Sequence, residues 1–238
     1  MILYKGPSLI DGSPIVVVAT QSKNRKTGSM LQTWIIRSDM DPLEASRTGQ
    51  DASICGSCIH RGKPTNKAKG MAAERSCYVG LMHAPLSVYK KYKRGGYEHV
   101  NPATAGRGLK VRLGSYGDPA AVPQDVWTSL LSESIGHTGY THNAKSEGIY
   151  DTCMASADTI TQAKRHWAKG IRTFRVGLPT ELPIKGEILC PASEQAGKKT
   201  TCDSCGLCAG SKVKAPSIFI PAHGNGKAHV IKFMNTAT

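Results

Sequence analysis

Leu109-Lys110-Val111-Arg112-Leu113 runs into Gly114-Ser115-Tyr116-Gly117-Asp118-Pro119: a short strand that stops at a glycine-rich turn and a proline. A helix is expected after the proline, because Val126, Trp127, Leu130 and Leu131 recur at the spacing that lines one helical face. His137-Thr138-Gly139-Tyr140-Thr141-His142 reads as the next strand, and Thr152-Cys153-Met154-Ala155-Ser156 as another. Asp158 suits an N-cap, with a helix from about Thr159 to Lys169 and Gly170 closing it. Ile171-Arg172-Thr173-Phe174-Arg175-Val176 is the strand that follows. Consecutive β-α-β units imply parallel strands joined by right-handed crossovers. There are too few for an eight-fold barrel. The expected fold is α/β, as a partial (β/α) barrel or an open, mostly parallel sheet.

Working outward, residues 1–50 look β-rich. Ser13–Thr20 and Met30–Arg37 are β-branched runs, and the polar stretch Gln21–Ser29 between them, basic at its tip, suggests an antiparallel hairpin. Residues 51–108 form a cysteine-bearing loop, with a helix near Pro85–Tyr92 ended by Gly95-Gly96. The β/α core spans 109–186. Residues 187–238 hold a second cysteine loop and two short β runs, Ser217–Ile220 and His229–Phe233. A single domain of 238 residues is expected, 39% hydrophobic and able to bury a core. No apolar run approaches the roughly 18 residues of a membrane span, and Met1–Gly6 does not open a secretory signal. A cytoplasmic location is expected.

Eight cysteines in a reducing compartment do not read as disulfides. Cys202, Cys205 and Cys208 form C-x2-C-x2-C, with Cys190-Pro191 upstream. Such a turn points three thiolates at one centre, and Cys190 can complete a four-sulfur set. Soft sulfur ligands suit Zn2+ or a [4Fe–4S] cluster. Three close cysteines plus one distant one favour iron–sulfur, because zinc ribbons more often use two separate C-x2-C knuckles; zinc is the alternative. Lys198, Lys199, Lys212 and Lys214 would offset the negative charge. The other group is Cys55-Gly56-Ser57-Cys58-Ile59-His60 with Cys77 after an 18-residue gap. Its fourth ligand is open between His60, Cys153, another residue and none. A three-ligand centre keeps a position for substrate. Cys153 otherwise reads as a buried strand thiol.

The net charge of +14 favours anionic ligands, nucleic acid among them. Lys63–Lys69 and Lys90-Lys91-Tyr92-Lys93-Arg94 could contact phosphate and stack bases. Ligands of parallel α/β folds sit beyond the C-terminal strand ends. There the candidates are Ser115, Gly117 and Asp118, then Tyr140-Thr141-His142, then Ser156 with Asp158. Arg172 and Arg175 are expected on one common face of the following strand. Asp118 could equally cap a helix, and His137 and His142 read as surface or core residues.

Val111–Pro119 resembles the strand and Gly-Gly-Glu-Pro element of radical S-adenosylmethionine enzymes, with Asp118 where that family has glutamate. Cys153–Val176 resembles a later β-α-β unit of the same partial barrel. Cys190-Pro191 with Cys202, Cys205 and Cys208 is similar to the auxiliary-cluster tails of some members. The whole chain also resembles a family of bacteriophage proteins of unknown function with this cysteine pattern. The likeness implies an iron–sulfur cluster at Cys55, Cys58 and Cys77, S-adenosylmethionine near Asp118, and the host cytoplasm if the chain is phage-encoded. The family's C-x3-C-x2-C is replaced here by C-x2-C and the distant Cys77.

Overall fold

The computed structural model describes residues 1–21, 26–143, 148–224 and 226–236. The chain forms β1 (Ile2–Pro7), β2 (Pro14–Gln21), β3 (Leu31–Arg37), α1 (Pro42–Thr48), α2 (Ala52–Cys55), α3 (Ala84–Lys93) and α4 (Pro102–Gly106). It continues through β4 (Lys110–Tyr116), α5 (Gln124–Ser132), β5 (Gly136–Thr138), β6 (Tyr140–Thr141), α6 (Ile149–Thr152), β7 (Met154–Ala157), α7 (Ile160–Trp167) and β8 (Thr173–Gly177). β9 (Glu187–Leu189), α8 (Cys202–Cys205), β10 (Ser217–Pro221) and α9 (Lys227–Thr236) complete it.

Two five-stranded sheets result. The first is ordered β1-β2-β3-β4-β5 and the second β6-β7-β8-β10-β9. All pairs of the second sheet are parallel. In the first, β1-β2 and β2-β3 are antiparallel, β3-β4 and β4-β5 parallel. The fold is therefore mixed α/β. The expected hairpin is β2-β3, extended by β1; residues 22–25 at its basic tip lie outside the described residues. Ile15 to Ala19 are all buried, as for a central strand covered on both faces. Val126, Trp127 and Leu130 bury the expected face of α5.

The stretch from His137 to His142 is two strands, parted at Gly139, whose N–H donates to the Cys208 carbonyl at 3.1 Å. One β run proves helical: residues 229–233 belong to α9. β10 already has β8 and β9 on its two sides, so a strand following it has no neighbouring place. Asp158 is not the cap of α7. Thr159 is, in extended conformation, and its hydroxyl accepts from Gln162 N.

An irregularity in β3-β4 sets up the site. Gln32 pairs Arg112 and Trp34 pairs Tyr116, so β4 carries extra residues opposite Thr33. Gly114 turns there with φ +63°. Thr33 Oγ1 fills the gap, donating to Arg112 O at 3.1 Å and accepting from Gly114 N at 2.9 Å. Bulges of this kind re-aim side chains. Beyond it lie Tyr116, Gly117 and Asp118.

Candidate metal centres

The first cysteine group is pinned from several sides. Cys55 ends α2, and Gly56 follows with φ +56°, where a Cβ would collide with the Asn143 side chain. Asn143 donates to Cys55 O at 3.2 Å and accepts from Ser57 N at 3.2 Å. Asp118 N donates to Ile54 O at 2.6 Å. Arg61 grips the buried Asp51 at 2.8 and 3.0 Å and also donates to Gly56 O and Gly49 O. Cys77 N donates to His60 O at 3.0 Å, and Arg75 holds the carbonyls of Cys77 and Val79. These bonds bring Cys55, Cys58 and Cys77 into one electrostatic neighbourhood. Burial pushes the Cys55 thiol well up, and Asp51, Cys58 and Cys77 push it further. Burial also raises Cys77.

The second group surrounds a small cavity lined by Cys190, Cys202, Cys205, Cys208, Thr138 and Tyr140. Cys202 N donates to Lys26 O at 2.9 Å, and Cys190 N to Phe219 O at 2.8 Å. The turn of α8 is fixed by reciprocal Thr201 and Ser204 bonds. Arg172 fastens the outgoing loop through the carbonyls of Leu207, Gly210 and Pro216, at 2.7–3.2 Å. Burial lifts the Cys208 thiol to about 12.

Among the described residues two buried hydroxyls have no hydrogen-bond partner, Tyr116 Oη and Thr138 Oγ1. Tyr116 lies in the electrostatic neighbourhood of Cys55 and Cys77, and Thr138 lines the second cavity. Each cysteine group thus has one unmatched donor beside it. Arg112 is equally telling. It is buried, donates to Tyr78 Oη at 2.6 Å and lies 5.5 Å from the Tyr140 ring centre. Burial opposes its charge, while Tyr78, Tyr140 and Cys202 support it. Among the described residues no carboxylate lies within 4.0 Å of it. A buried guanidinium needs a counter-charge, and Cys202 is a cysteine among the groups that support it.

Thiolates on one tetrahedral zinc at about 2.3 Å would sit about 3.8 Å apart. Among the described residues, no three cysteine sulfurs lie within 4.8 Å of one another. A cluster binds each thiolate through a different iron and spreads the sulfurs. Four sulfur donors suit either a zinc ion or an iron–sulfur cluster.

The strand-end candidates fare differently. Asp118 is buried, and all its acceptor capacity is used: Ala120 N at 2.9 Å, Thr141 Oγ1 at 2.7 Å, His142 N at 2.8 Å and Asn143 Nδ2 at 2.7 Å. It caps the 3-10 turn at Pro119–Ala121 and ties β4 to β6. Gly117, at φ +82°, lies so close to Ile35 that a Cβ would fall 2.6 Å from it. Ser115 donates to Gln32 Oε1. Ser156 is half-buried on β7, opposite Phe174. Arg172 and Arg175 do not share a surroundings: Arg175 is sealed against Glu187 at 2.8 Å, twice over, on a different contact from Arg172. Residues three apart on a strand face opposite sides, so the common face expected for them is corrected. Cys153 is fully buried in the main core, apart from both groups.

Sequence reading missed one constellation. His60 Nε2 and His142 Nε2 lie 3.2 and 3.3 Å from Asp158 Oδ1. The only signal available was position: His142 and Asp158 follow β6 and β7, neighbouring parallel strands, and so emerge on one edge. No protein-family model, curated protein or solved structure matches the chain. Among the described residues no helix is long and apolar enough to cross a membrane.

Proposed function

We propose that this chain is an iron–sulfur protein related to the radical S-adenosylmethionine enzymes, with clusters at both cysteine groups and electron-transfer or radical chemistry at the strand ends. The observation that carries the reading is the gathering of seven cysteines into two partly buried groups, each with a buried hydroxyl that has no partner among the described residues. A bound cluster supplies one-electron chemistry and an array of sulfur acceptors. The chain's own residues divide the remaining work. Tyr116 and Thr138 would donate to sulfur, and Arg112 would balance charge at the second group. Asp118 and Asn143 hold the loop that carries Cys55 and Cys58. The first group has three cysteines, leaving room for a non-protein ligand if four irons are held.

S-adenosylmethionine fits less well at the position the resemblance indicates. Asp118 has no free acceptor for its amino group, so any contact must come from other residues. Oxygen-free purification tests the core of the proposal. The protein should be brown, with iron and sulfide bound and broad absorption near roughly 400 nm. Colourless protein with neither iron nor sulfide refutes it. S-adenosylmethionine binding and reductive cleavage are assayed separately on the same material. A second reading, nucleic-acid binding, draws on the exposed Lys90, Lys91 and Lys93 of α3, with Tyr92 between them and Tyr89 just before. It requires affinity for RNA or DNA that falls steeply with salt.

A further inference from the structure

His60, His142 and Asp158 come from three separate segments and converge with their side chains largely buried, at 12%, 21% and 7% exposure. Their ligand atoms all lie within 4.8 Å of one another. The two nitrogen-to-oxygen distances, 3.2 and 3.3 Å, are longer than the roughly 2.7–2.9 Å of a charge-assisted hydrogen bond. They equal the edge of a tetrahedron around an ion with bonds of about 2.0–2.1 Å, which is about 3.3 Å. Two of the three edges thus match that length, and the third lies within 4.8 Å.

The surroundings agree. His60 Nδ1 lies 2.8 Å from Ser76 Oγ, so its outer nitrogen is engaged by the chain while Nε2 faces the carboxylate. That is how a metal-binding imidazole is usually oriented. Asp158 spends its carboxylate on neither α7 nor a lysine or arginine; Thr159 caps the helix in its place. The two rings meet edge-on with centroids 5.9 Å apart, which leaves both Nε2 atoms directed at the shared oxygen. Cys58 lies against His142, which puts the trio beside the first cysteine group.

We propose that His60, His142 and Asp158 hold a single divalent transition-metal ion of zinc type, at the strand ends beside the first cysteine group. Two imidazoles and one carboxylate suit Zn2+, Fe2+ or Co2+, and three protein ligands leave a position for water or substrate. This site goes beyond the iron–sulfur reading and does not depend on what the cysteines bind.

The test is a Co2+ titration of the full chain, purified without oxygen, with iron and sulfide measured beforehand. Those contents decide the cluster reading; the cobalt result decides this one. One equivalent of Co2+ should bind in addition to the metal at the cysteines, with ligand-field bands of tetrahedral nitrogen–oxygen coordination. Asp158→Asn and His142→Gln should weaken it at least about tenfold, and Ser76→Ala about tenfold by loosening His60. Circular dichroism reports whether each variant folds. The wild-type protein gives a readout free of variants: X-ray absorption of added Zn2+ should show nitrogen or oxygen neighbours at about 2.0 Å. Cobalt affinity unchanged in folded Asp158→Asn, no ion beyond those on the cysteines, or an all-sulfur shell around added zinc would each overturn the site.

Discussion

Arg112 is a buried cation held by the Tyr78 hydroxyl and the Tyr140 ring, with Cys202 nearby, and on the proposed reading a thiolate at Cys202 would balance its charge. The thiols themselves resist ionisation, as burial raises Cys202 and Cys208. A metal resolves this by displacing protons from the thiols. Replacing Arg112 by Gln should therefore reduce metal content at the second group by more than half while leaving the first group loaded. Metal analysis, set beside a Cys202→Ser variant as the fully depleted reference, checks it. Cys153 supplies the contrasting case. It packs in the core, near Gly139 and Thr152, and Cys153→Ala should leave metal content unchanged and cost about 1 kcal/mol for the small cavity. A denaturant titration with metal analysis reads both. The spacing of the cysteines made the second group legible in the sequence, because three thiols within one turn have few other uses. The His60, His142 and Asp158 cluster was not legible. Its members are separated by 82 and 16 positions (142 − 60 and 158 − 142), and only strand pairing brings them together. Asp158 was also disguised as a helix cap, a role that the adjacent Thr159 fills while the Asp158 carboxylate meets His60 and His142.

At the level of elements, the alternation of strand and helix from Leu109 onward was readable because apolar periodicity and glycine stops agree there. What periodicity could not supply was sheet order. His229–Phe233 has a strand's composition, yet both flanks of β10 are occupied and the segment becomes α9. That helix approaches the first cysteine loop closely: a Cβ at Gly226 would lie 2.5 Å from Ser76 O. Lys232 bonds Glu74 at 2.9 Å, and Lys63 reaches the same carboxylate at 2.7 Å. Glu74 is the one non-glycine among the described residues with positive φ, 53°. Bonds to Lys232 and then Lys63 lower its pKa from 4.5 to about 2. A carboxylate depressed in the folded state stabilises it fully above the unfolded value and loses that contribution as pH falls through the folded one. Attachment of α9 should thus weaken between about pH 4.5 and pH 2, and also in high salt because the pair is exposed. Amide exchange of residues 227–236, corrected for intrinsic rates, should rise over that window in the wild type. In Glu74→Gln it should already be raised at neutral pH and change little. Equal profiles for the two proteins would show that the pair does not hold α9.

The molecule as a whole divides into parts that a hydrophobic core holds and parts that it does not. The main core takes in β1–β4, α5 and residues from Ile149 to Cys153. The two cysteine loops contribute little to it. Between Gly56 and Gly80, Ala72 is the sole buried hydrophobic residue. Between Cys190 and Pro216 there is only Cys208. Both stretches are instead held by side chains gripping backbone carbonyls, Arg61 and Arg75 in the first, Arg172 in the second. Each such bond contributes about 1.5–3 kcal/mol, too little to order stretches of 25 (56–80) and 27 (190–216) residues against a backbone entropy of about 1–2 kcal/mol each. On the proposed reading, metal–thiolate bonds would be the additional term, since metal binding to such loops is itself folding free energy. Removing the metals by acid-free chelation should therefore leave the sheets intact by circular dichroism. Hydrogen exchange should increase at least about tenfold across residues 56–80 and 190–216 while β2 and β3 stay protected, as expected of units with separate opening energies. Reloading iron and sulfide should restore protection in both loops. If metal-free protein keeps both loops protected, carbonyl-binding arginines alone order them and the thiolate centres are not what shapes this part of the chain.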